Sequence, residues 1–404
     1  MIELPNIPVK ILAIKLRASA ERSLRQQHPW VFSDSIVKQN TPGNSGDIAI
    51  VYDTLKNKFL ALGLYDPDSP IRIKILQFDK PAKIDEKWFQ LKLKEASNKR
   101  ENLLKTDTNS YRFIFGENDG LPGFIADVYD QVLVIKLYSA IWYPYLNQII
   151  PILIELSDCK AIVLRLSRQL QQRKDINGLH DGQVIFGTLS NEVVIFKEHG
   201  LRFSANVIHG HKTGYFLDHR HNRKRVGALA KDKMVLDVFS YAGGFSVHAL
   251  VNGAKSVTSL DISAQALEMA QKNATLNSSS GTHHILKADA FEGLQNLIKT
   301  HQKFDVVVID PPSFAKRQNE VEKAKHSYTR LTKFGAQLVA KNGILVMASC
   351  SSRITAPEFF SIVEDNLFNL GVKFNVLEKT YHDIDHPISF PEGAYLKCGY
   401  YQLQ

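Results

Sequence analysis

Two residues late in the chain are of types, and in settings, that can do chemistry. Asp310 stands in Asp310-Pro-Pro-Ser-Phe-Ala-Lys and Cys350 in Ala-Ser-Cys-Ser-Ser-Arg. Phe304 and the apolar run Val306–Ile309 predict a strand that delivers Asp310 to its end, and the two prolines then hold the chain in an extended turn. A carboxylate held that way can hydrogen-bond the amine or ring nitrogen of a nucleobase, and Phe314 can stack on it. The plain alternative is a strand-ending turn. Cys350 follows the predicted strand Ile344–Ala348, with hydroxyls beside it and Arg353 close enough in sequence to favour a thiolate. A lone cysteine otherwise serves as a small buried apolar residue, which is the reading for Cys159 and Cys398. Thiolate chemistry suits one reaction well: addition at C6 of cytosine makes C5 an enamine-like carbon that attacks a sulfonium methyl, and loss of the C5 proton then expels the thiol.

A methyl donor needs a pocket, and Met234–Leu250 (MVLDVFSYAGGFSVHAL) has the pattern of strand, glycine turn and helix. Gly243 and Gly244 let the backbone turn sharply and approach a ligand, while the helix that follows directs free N–H groups into the turn. The same pattern also serves ordinary α/β architecture. The next strand ends in Asp261, 24 positions beyond Asp237, where a carboxylate can accept both ribose hydroxyls of a nucleoside. The turn is Ala-Gly-Gly-Phe rather than G-x-G-x-x-G, so a phosphate-free nucleoside fits better, and S-adenosylmethionine (S-adenosyl-L-methionine) is the commonest. Its expected contacts are Asp237, Phe239, Ser240, Gly243, Gly244, Asp261, Ile262 and Asp310, with Asp289 and Ala290 at the adenine. The other role open to Asp289 is capping the helix that begins near Phe291.

The elements that must position these residues fit a chain of 404 residues, too long for one ordinary core. Hydrophobic content of 44% and charged content of 23% are those of a globular protein. No apolar run has the length of a membrane helix, and the first residues lack an export signal. Three widely spaced cysteines exclude a disulfide framework or a close-spaced zinc site, so we expect a reducing cytoplasm, no metal and no membrane. The net charge is +9. Residues 1–100 carry 17 Lys and Arg against 11 Asp and Glu, so +6 of it lies there, which points to a polyanionic partner or to a solubilising surface.

Residues 1–77 read as a small β-barrel, approached by the basic residues Lys15, Arg17, Arg22 and Arg25, which would contact phosphates without reading sequence. Residues 78–198 read as a central α+β domain entered through a polar helix; its loop Arg168–Lys174 should face solvent. Within residues 199–404, Arg220, Arg223, Lys224 and Arg225 suggest a phosphate-binding edge, with Phe203, Tyr215 and Phe216 available for stacking. Beyond Met234, strands and helices alternate as in a doubly wound sheet, whose ligands bind at the carboxyl ends of the strands. Asp237, Asp261, Asp289, Asp310 and Cys350 all fall there.

Taken in order, His28-Pro-Trp-Val-Phe-Ser, Ser69-Pro-Ile-Arg-Ile, Gly116-Glu-Asn-Asp-Gly-Leu-Pro-Gly, Gly210-His-Lys-Thr-Gly-Tyr-Phe-Leu-Asp-His-Arg, Phe239-Ser-Tyr-Ala-Gly-Gly-Phe, Asp310-Pro-Pro, Ser349-Cys-Ser and Pro391-Glu-Gly-Ala-Tyr-Leu-Lys form a specific series. Along its whole length the chain resembles the bacterial 23S rRNA cytosine-C5 methyltransferases that carry an N-terminal PUA domain. The resemblance implies a Rossmann-like class I methyltransferase domain with an antiparallel last strand, S-adenosylmethionine as donor, and 23S rRNA or a large-subunit assembly intermediate as partner. A homodimer is compatible with it. It implies that Cys350 is the nucleophile, that Asp310 orients the base, and that Tyr215, Asp218 and Arg220 line the cleft. Arg17, Arg22, Arg25, Lys212, Arg220 and Phe314 are the expected RNA contacts. Ser313, Arg353 and Ile354 depart from the family pattern. Two other functions are therefore weighed: a guanine N7 or N2 rRNA methyltransferase with a structural Cys350, and a non-catalytic RNA-binding protein.

Overall fold

Short β-branched runs between turn formers dominate the start of the chain, and the computed structural model, which describes residues 2–173 and 178–404, forms strands from them. β1 (Ile11–Leu16), β2 (Trp30–Phe32), β3 (Ile36–Gln39), β4 (Ile48–Tyr52), β5 (Phe59–Tyr65) and β6 (Ile71–Phe78) make one mixed sheet in the order β2-β6-β5-β4-β1-β3. Its helix α1 (Ala18–Arg25) follows β1. The basic residues expected to precede this sheet lie within the same domain: Lys15 on β1, Arg17 as the α1 N-cap, and Arg22 and Arg25 on α1. The alternation there has one period for the strand and another for the helix, which the sequence reading ran together.

Next come α2 (Glu86–Leu104), β7 (Ser110–Phe115), β8 (Phe124–Tyr129), β9 (Val132–Leu137), α3 (Leu146–Ser157), β10 (Ala161–Leu166), the one-turn α4 (Arg168–Gln171) and β11 (Gln183–Gly187). The five strands pair in the order β11-β10-β9-β8-β7. The expected loop Arg168–Lys174 is instead partly helical: Ser167 caps α4, and Arg173 pairs with Asp68. Lys174 lies outside the described residues. β12 (Val193–Glu198) and β13 (Leu201–Asn206) then form a hairpin.

Two units emerge, and the division between them falls within that hairpin. One contains Met1–Lys197, Ala205–Leu217 and Ile384–Gly393; the other contains Glu198–Ser204, Asp218–Asp383 and Ala394–Gln404. The second unit alternates α5 (Arg220–Leu229), β14 (Met234–Val238), α6 (Gly244–Val251), β15 (Ser256–Asp261), α7 (Ala264–Thr275), β16 (Thr282–Lys287), α8 (Ala290–Lys299), β17 (Phe304–Ile309), α9 (Val321–Leu338), β18 (Val339–Ser349), α10 (Ala356–Asn369), β19 (Phe374–Thr380) and β20 (Lys397–Leu403). Its seven strands run β16-β15-β14-β17-β18-β20-β19, parallel from β16 to β18, with β20 antiparallel to both its neighbours. The continuous apolar runs of β14, β17 and β18 follow from burial on both faces, as a parallel sheet covered by helices requires; Leu236, Val307, Leu345 and Met347 are all fully buried.

One buried ion cluster ties this unit's first segment to its helices. Arg223 on α5 makes a bidentate pair with Glu198 (Nε to Oε1 2.7 Å, Nη2 to Oε2 2.6 Å), and His248 Nε2 on α6 lies 2.9 Å from Oε1. Burial alone would raise the Glu198 pKa; the Arg223 guanidinium and His248 outweigh it and hold the carboxyl far below the usual range. The pair therefore stabilises the fold above the ordinary glutamate range and loses that contribution as the pH falls. Arg223→Met, which strands Glu198 without its counterion, should cost about 3–5 kcal/mol in denaturant unfolding at pH 7. The difference from wild type should narrow at pH 4.

Candidate active site

Hydrophobic runs carry β14, β15, β17 and β18 to a common edge, and the polar residues of interest leave from it. Asp237, next to the end of β14, is buried; its Oδ2 accepts from Ser246 N (3.1 Å) and Ser246 Oγ (2.6 Å) on α6. The following loop holds Phe239 and Tyr241 in the left-handed region, at φ 63° and 46°, strain that its hydrogen bonds must outweigh. Ser240 N donates to Leu260 O at 3.1 Å, Gly243 N to Ser240 O at 2.8 Å, and Tyr241 N to Asp261 Oδ2 at 3.0 Å. Gly243 (φ 74°) is the N-cap of α6, and a Cβ there would come within 2.7 Å of Ala270 Cβ. Its glycine thus serves helix packing as well as the turn, and Gly244 opens the helix.

The expected donor pocket leaves two polar atoms over. Asp237 Oδ1 and Ser240 Oγ are buried without a hydrogen-bond partner, an arrangement that costs free energy unless a ligand supplies the donor. Burial, with a smaller push from the Asp310 and Asp261 carboxylates, raises the Asp237 pKa to about 7. Asp261 ends β15 half-buried, its two oxygens accepting from Tyr241 N and Ser263 N. Beside it Ile262 is 67% exposed, an uncovered apolar side chain at the rim. Asp289 has the capping role: its Oδ1 accepts from Phe291 N (2.9 Å) and Glu292 N (3.3 Å), and Ala290 begins α8. The cap uses Oδ1 and leaves Oδ2 for the expected adenine contact.

The two candidate reacting groups adjoin. Asp310 N donates to Val238 O at 3.4 Å, tying the end of β17 to that of β14. Cys350, just beyond β18, is half-buried, with Sγ 3.8 Å from Pro311 O. Cys398 and Cys159, by contrast, are buried in apolar clusters, as expected. Phe314 packs edge-on against Tyr328 with ring centroids 5.4 Å apart and stays partly exposed.

His219, which the sequence reading passed over, faces Asp310. Its Nε2 lies 3.3 Å from Asp310 Oδ1. Asn222 Oδ1 accepts from Thr380 Oγ1 (2.6 Å) and Tyr400 Oη (3.0 Å), so its amide nitrogen is the donor to His219 Nδ1 at 3.0 Å. The neutral ring therefore carries its proton on Nε2, which lies within ion-pair distance of the carboxylate but outside hydrogen-bond geometry. Burial favours the neutral ring, yet the Asp310 and Asp218 carboxylates prevail and raise its pKa.

Two expectations are corrected. Arg220 and Arg223 do not form an exposed phosphate-binding edge: both are buried, Arg220 Nη1 pairs with Asp383 (2.9 Å), Arg223 is spent on Glu198, and Arg225 pairs with Glu378 (2.8 Å). Tyr215 and Lys212 fall in the first unit; Tyr215 is buried, edge-on to Phe196 at 5.1 Å, and Lys212 is exposed. Of the α1 basic residues, Arg17 and Arg22 are exposed, whereas Arg25 pairs with Asp53 at 2.6 Å. A cavity of about 420 Å³ lined by Asp66, Lys74, Tyr138 and Arg173 belongs to the first unit and holds none of the expected site residues. Among the described residues, no group of three or more His, Cys, Asp or Glu is arranged for a metal, and no helix is long and apolar enough to cross a membrane.

A seven-stranded sheet with its last strand reversed, carrying carboxylates at its carboxyl edge, defines a class I methyltransferase. Residues 121–378 match the family model described as S-adenosylmethionine-dependent methyltransferase, and residues 14–78 match that of the PUA-like domain. The chain belongs to the S-adenosylmethionine-dependent methyltransferase family, and S-adenosylmethionine is its methyl donor. It is 42% identical over 398 residues to a ribosomal RNA large subunit methyltransferase of Deinococcus radiodurans, covering 97% of each chain. Over 391 residues it is 36% identical to the ribosomal RNA large subunit methyltransferase I of Tolumonas auensis, covering 95% of this chain and 97% of the relative. Among solved structures, a chain from Streptococcus mutans described as a SAM-dependent methyltransferase superposes with a TM-score of 0.82 at 20% identity, covering 96% of this chain and 99% of that one. A likeness at that identity concerns the fold.

Because Asp237 is buried and ionised at a cost, Asp237→Asn should stabilise the donor-free protein by about 1–3 kcal/mol at pH 8. The gain appears as the pH rises from 4 to 7 and is absent at pH 3, where both forms are neutral; thermal unfolding at the two pH values checks it. The same variant, like Asp261→Ala, should bind S-adenosylmethionine at least about tenfold more weakly by calorimetry, about 1.4 kcal/mol.

Proposed function

We propose that the protein methylates carbon 5 of a cytosine in 23S ribosomal RNA, free or within an assembling large subunit, through a transient bond between Cys350 and C6 of the base. The observation that carries this reading is the meeting of two strand ends: Cys350 Sγ stands half-buried 3.8 Å from the carbonyl of Pro311, the residue after Asp310. The choice of RNA draws on relatives that align over nearly their whole length and are named as large-subunit rRNA methyltransferases.

S-adenosylmethionine, when bound, supplies an electrophilic methyl on a sulfonium sulfur. The chain's own residues prepare the acceptor. The Cys350 thiolate adds to C6, forming the S–C6 bond and shifting the C5–C6 π pair so that C5 becomes nucleophilic. Once C5 is methylated, loss of its proton to a base restores the C5–C6 double bond and expels the thiolate. Asp310 accepts the exocyclic amine of the base and fixes its plane, and His219, held by Asn222, keeps the carboxylate oriented. Asp237 and Asp261 hold the donor. The exposed Arg17 and Arg22 give the PUA-like domain phosphate contacts that carry no sequence information.

Cys350→Ala should lower methylation of large-subunit rRNA by more than about a thousandfold while S-adenosylmethionine affinity stays unchanged. Mass spectrometric mapping should find 5-methylcytosine as the product of the wild type. Retained activity in that variant together with methylguanine at N7 or N2 would reassign the enzyme to purine chemistry; no methylated base at all would leave RNA binding as its role. Replacing Arg17 and Arg22 together by Ala should weaken RNA binding and reduce the slope of log K against log salt by about 1–2.

A further inference from the structure

Lys397 has no assigned part in this chemistry, yet the position of its charge is unusual. It opens β20 and pairs in register with Ser349, the residue before Cys350. Its side chain is buried, and Nζ donates to three backbone carbonyls: Ser351, Ile354 at 2.6 Å and Tyr395 at 3.1 Å. Two of the three belong to the turn that follows the cysteine, so one ammonium clamps the segment from which the thiol projects. All three N–H groups are satisfied, but carbonyl dipoles do not cancel a unit charge. Among the described residues no carboxylate lies within ion-pair distance of this nitrogen.

We propose that Lys397 is the positioning residue of the Cys350 thiol, fixing the turn that follows it and supplying the positive field that favours its thiolate. The inference rests on the reading of Cys350 as nucleophile and adds to it. Other charged and titratable groups share this end of the sheet. Asp310 at the end of β17 repels a thiolate, and the Tyr328 hydroxyl on α9 is given over to Ser349 Oγ at 2.9 Å. Glu358 on α10 is engaged by the Thr355 cap and by Lys325 at 3.5 Å. Arg353, the cation nearest in sequence, is exposed. Burial drives the Lys397 pKa down to about 8, and Cys350 and, less strongly, Glu358 act against that shift. Cation and thiolate each lower the cost of the other.

The test is the pH dependence of Cys350 alkylation by iodoacetamide in the full-length protein, read by mass spectrometry of its peptide, since Cys159 and Cys398 are buried. We expect a wild-type midpoint below about 8.5, the value of a free thiol. Lys397→Met should move it up by at least one unit, roughly a tenfold slower reaction at pH 7, and Lys397→Arg should restore part of the shift. A wild-type midpoint at or above that of a free thiol overturns the proposal, even should Lys397→Met fail to fold. Equal midpoints in wild type and Lys397→Met overturn it as well, as does an equal loss of reactivity in both variants without a shift. Alkylation involves no RNA, so this result stands apart from the product analysis of the Cys350→Ala variant: either proposal can fail while the other holds.

Discussion

The site depends on strand register. β14 pairs with β17 so that Val238 faces Ile309, and β17 pairs with β18 so that Ile309 faces Met347. This alignment makes the chain leave the sheet at one level as Phe239 and Asp310, while β18 runs on through Ala348 and Ser349 before releasing Cys350. A slip of one residue in any of these pairs would turn the inward side chains outward. The register is held by the apolar residues themselves, since β17 and β18 are buried on both faces, and so the chemistry is positioned by the core.

What collects at that level is charge in unequal amounts. Asp237, Asp261 and Asp310 each act electrostatically on at least one other member of the set, and burial adds to the effect at Asp237. His219 answers the negative charge at Asp310, and Lys397 sits behind Cys350. The unpartnered oxygens of Asp237 and Ser240 and the left-handed Phe239 and Tyr241 belong to the same stretch. This is where the fold gives up stability, and it gains a surface that a donor nucleoside can complete. The buried Arg223–Glu198–His248 cluster lies in the same unit and has every charge matched, so the imbalance at the strand ends is local.

The strands were legible because their ends coincide with sharp changes in side-chain type: Ile309 to Asp310-Pro-Pro, Leu260 to Asp261, Ala348 to Ser-Cys. β15 ends at Asp261 and β17 at Ile309, where the change of side-chain type predicts. The placement of Asp237, Asp261 and Asp310 at strand ends was legible for the same reason, since a carboxylate after an apolar run has few other places to go. Burial of charge was not legible. Arg220 and Arg223 look like a solvent-facing basic edge because their partners, Asp383 and Glu198, are 163 and 25 positions away, and composition says nothing of such distances. His219 was one histidine among several, and only Asn222, oriented by two hydroxyls, reveals where its proton points. Asp289 offered two roles that sequence could not separate, and the cap is the one its hydrogen bonds display.

The reversal of β20 has a consequence of its own. In a wholly parallel sheet, every residue at the carboxyl edge would come from the exit of a strand and would carry the loop after it. An antiparallel strand enters at that edge, so Lys397 reaches a turn 46 positions earlier in the chain from the first residue of a strand whose remainder is core. A strand late in the sequence thereby completes a turn laid down much earlier. Synthesis must pass through that strand before Lys397 can meet the turn, and a chain cut before residue 397 would lack the contact.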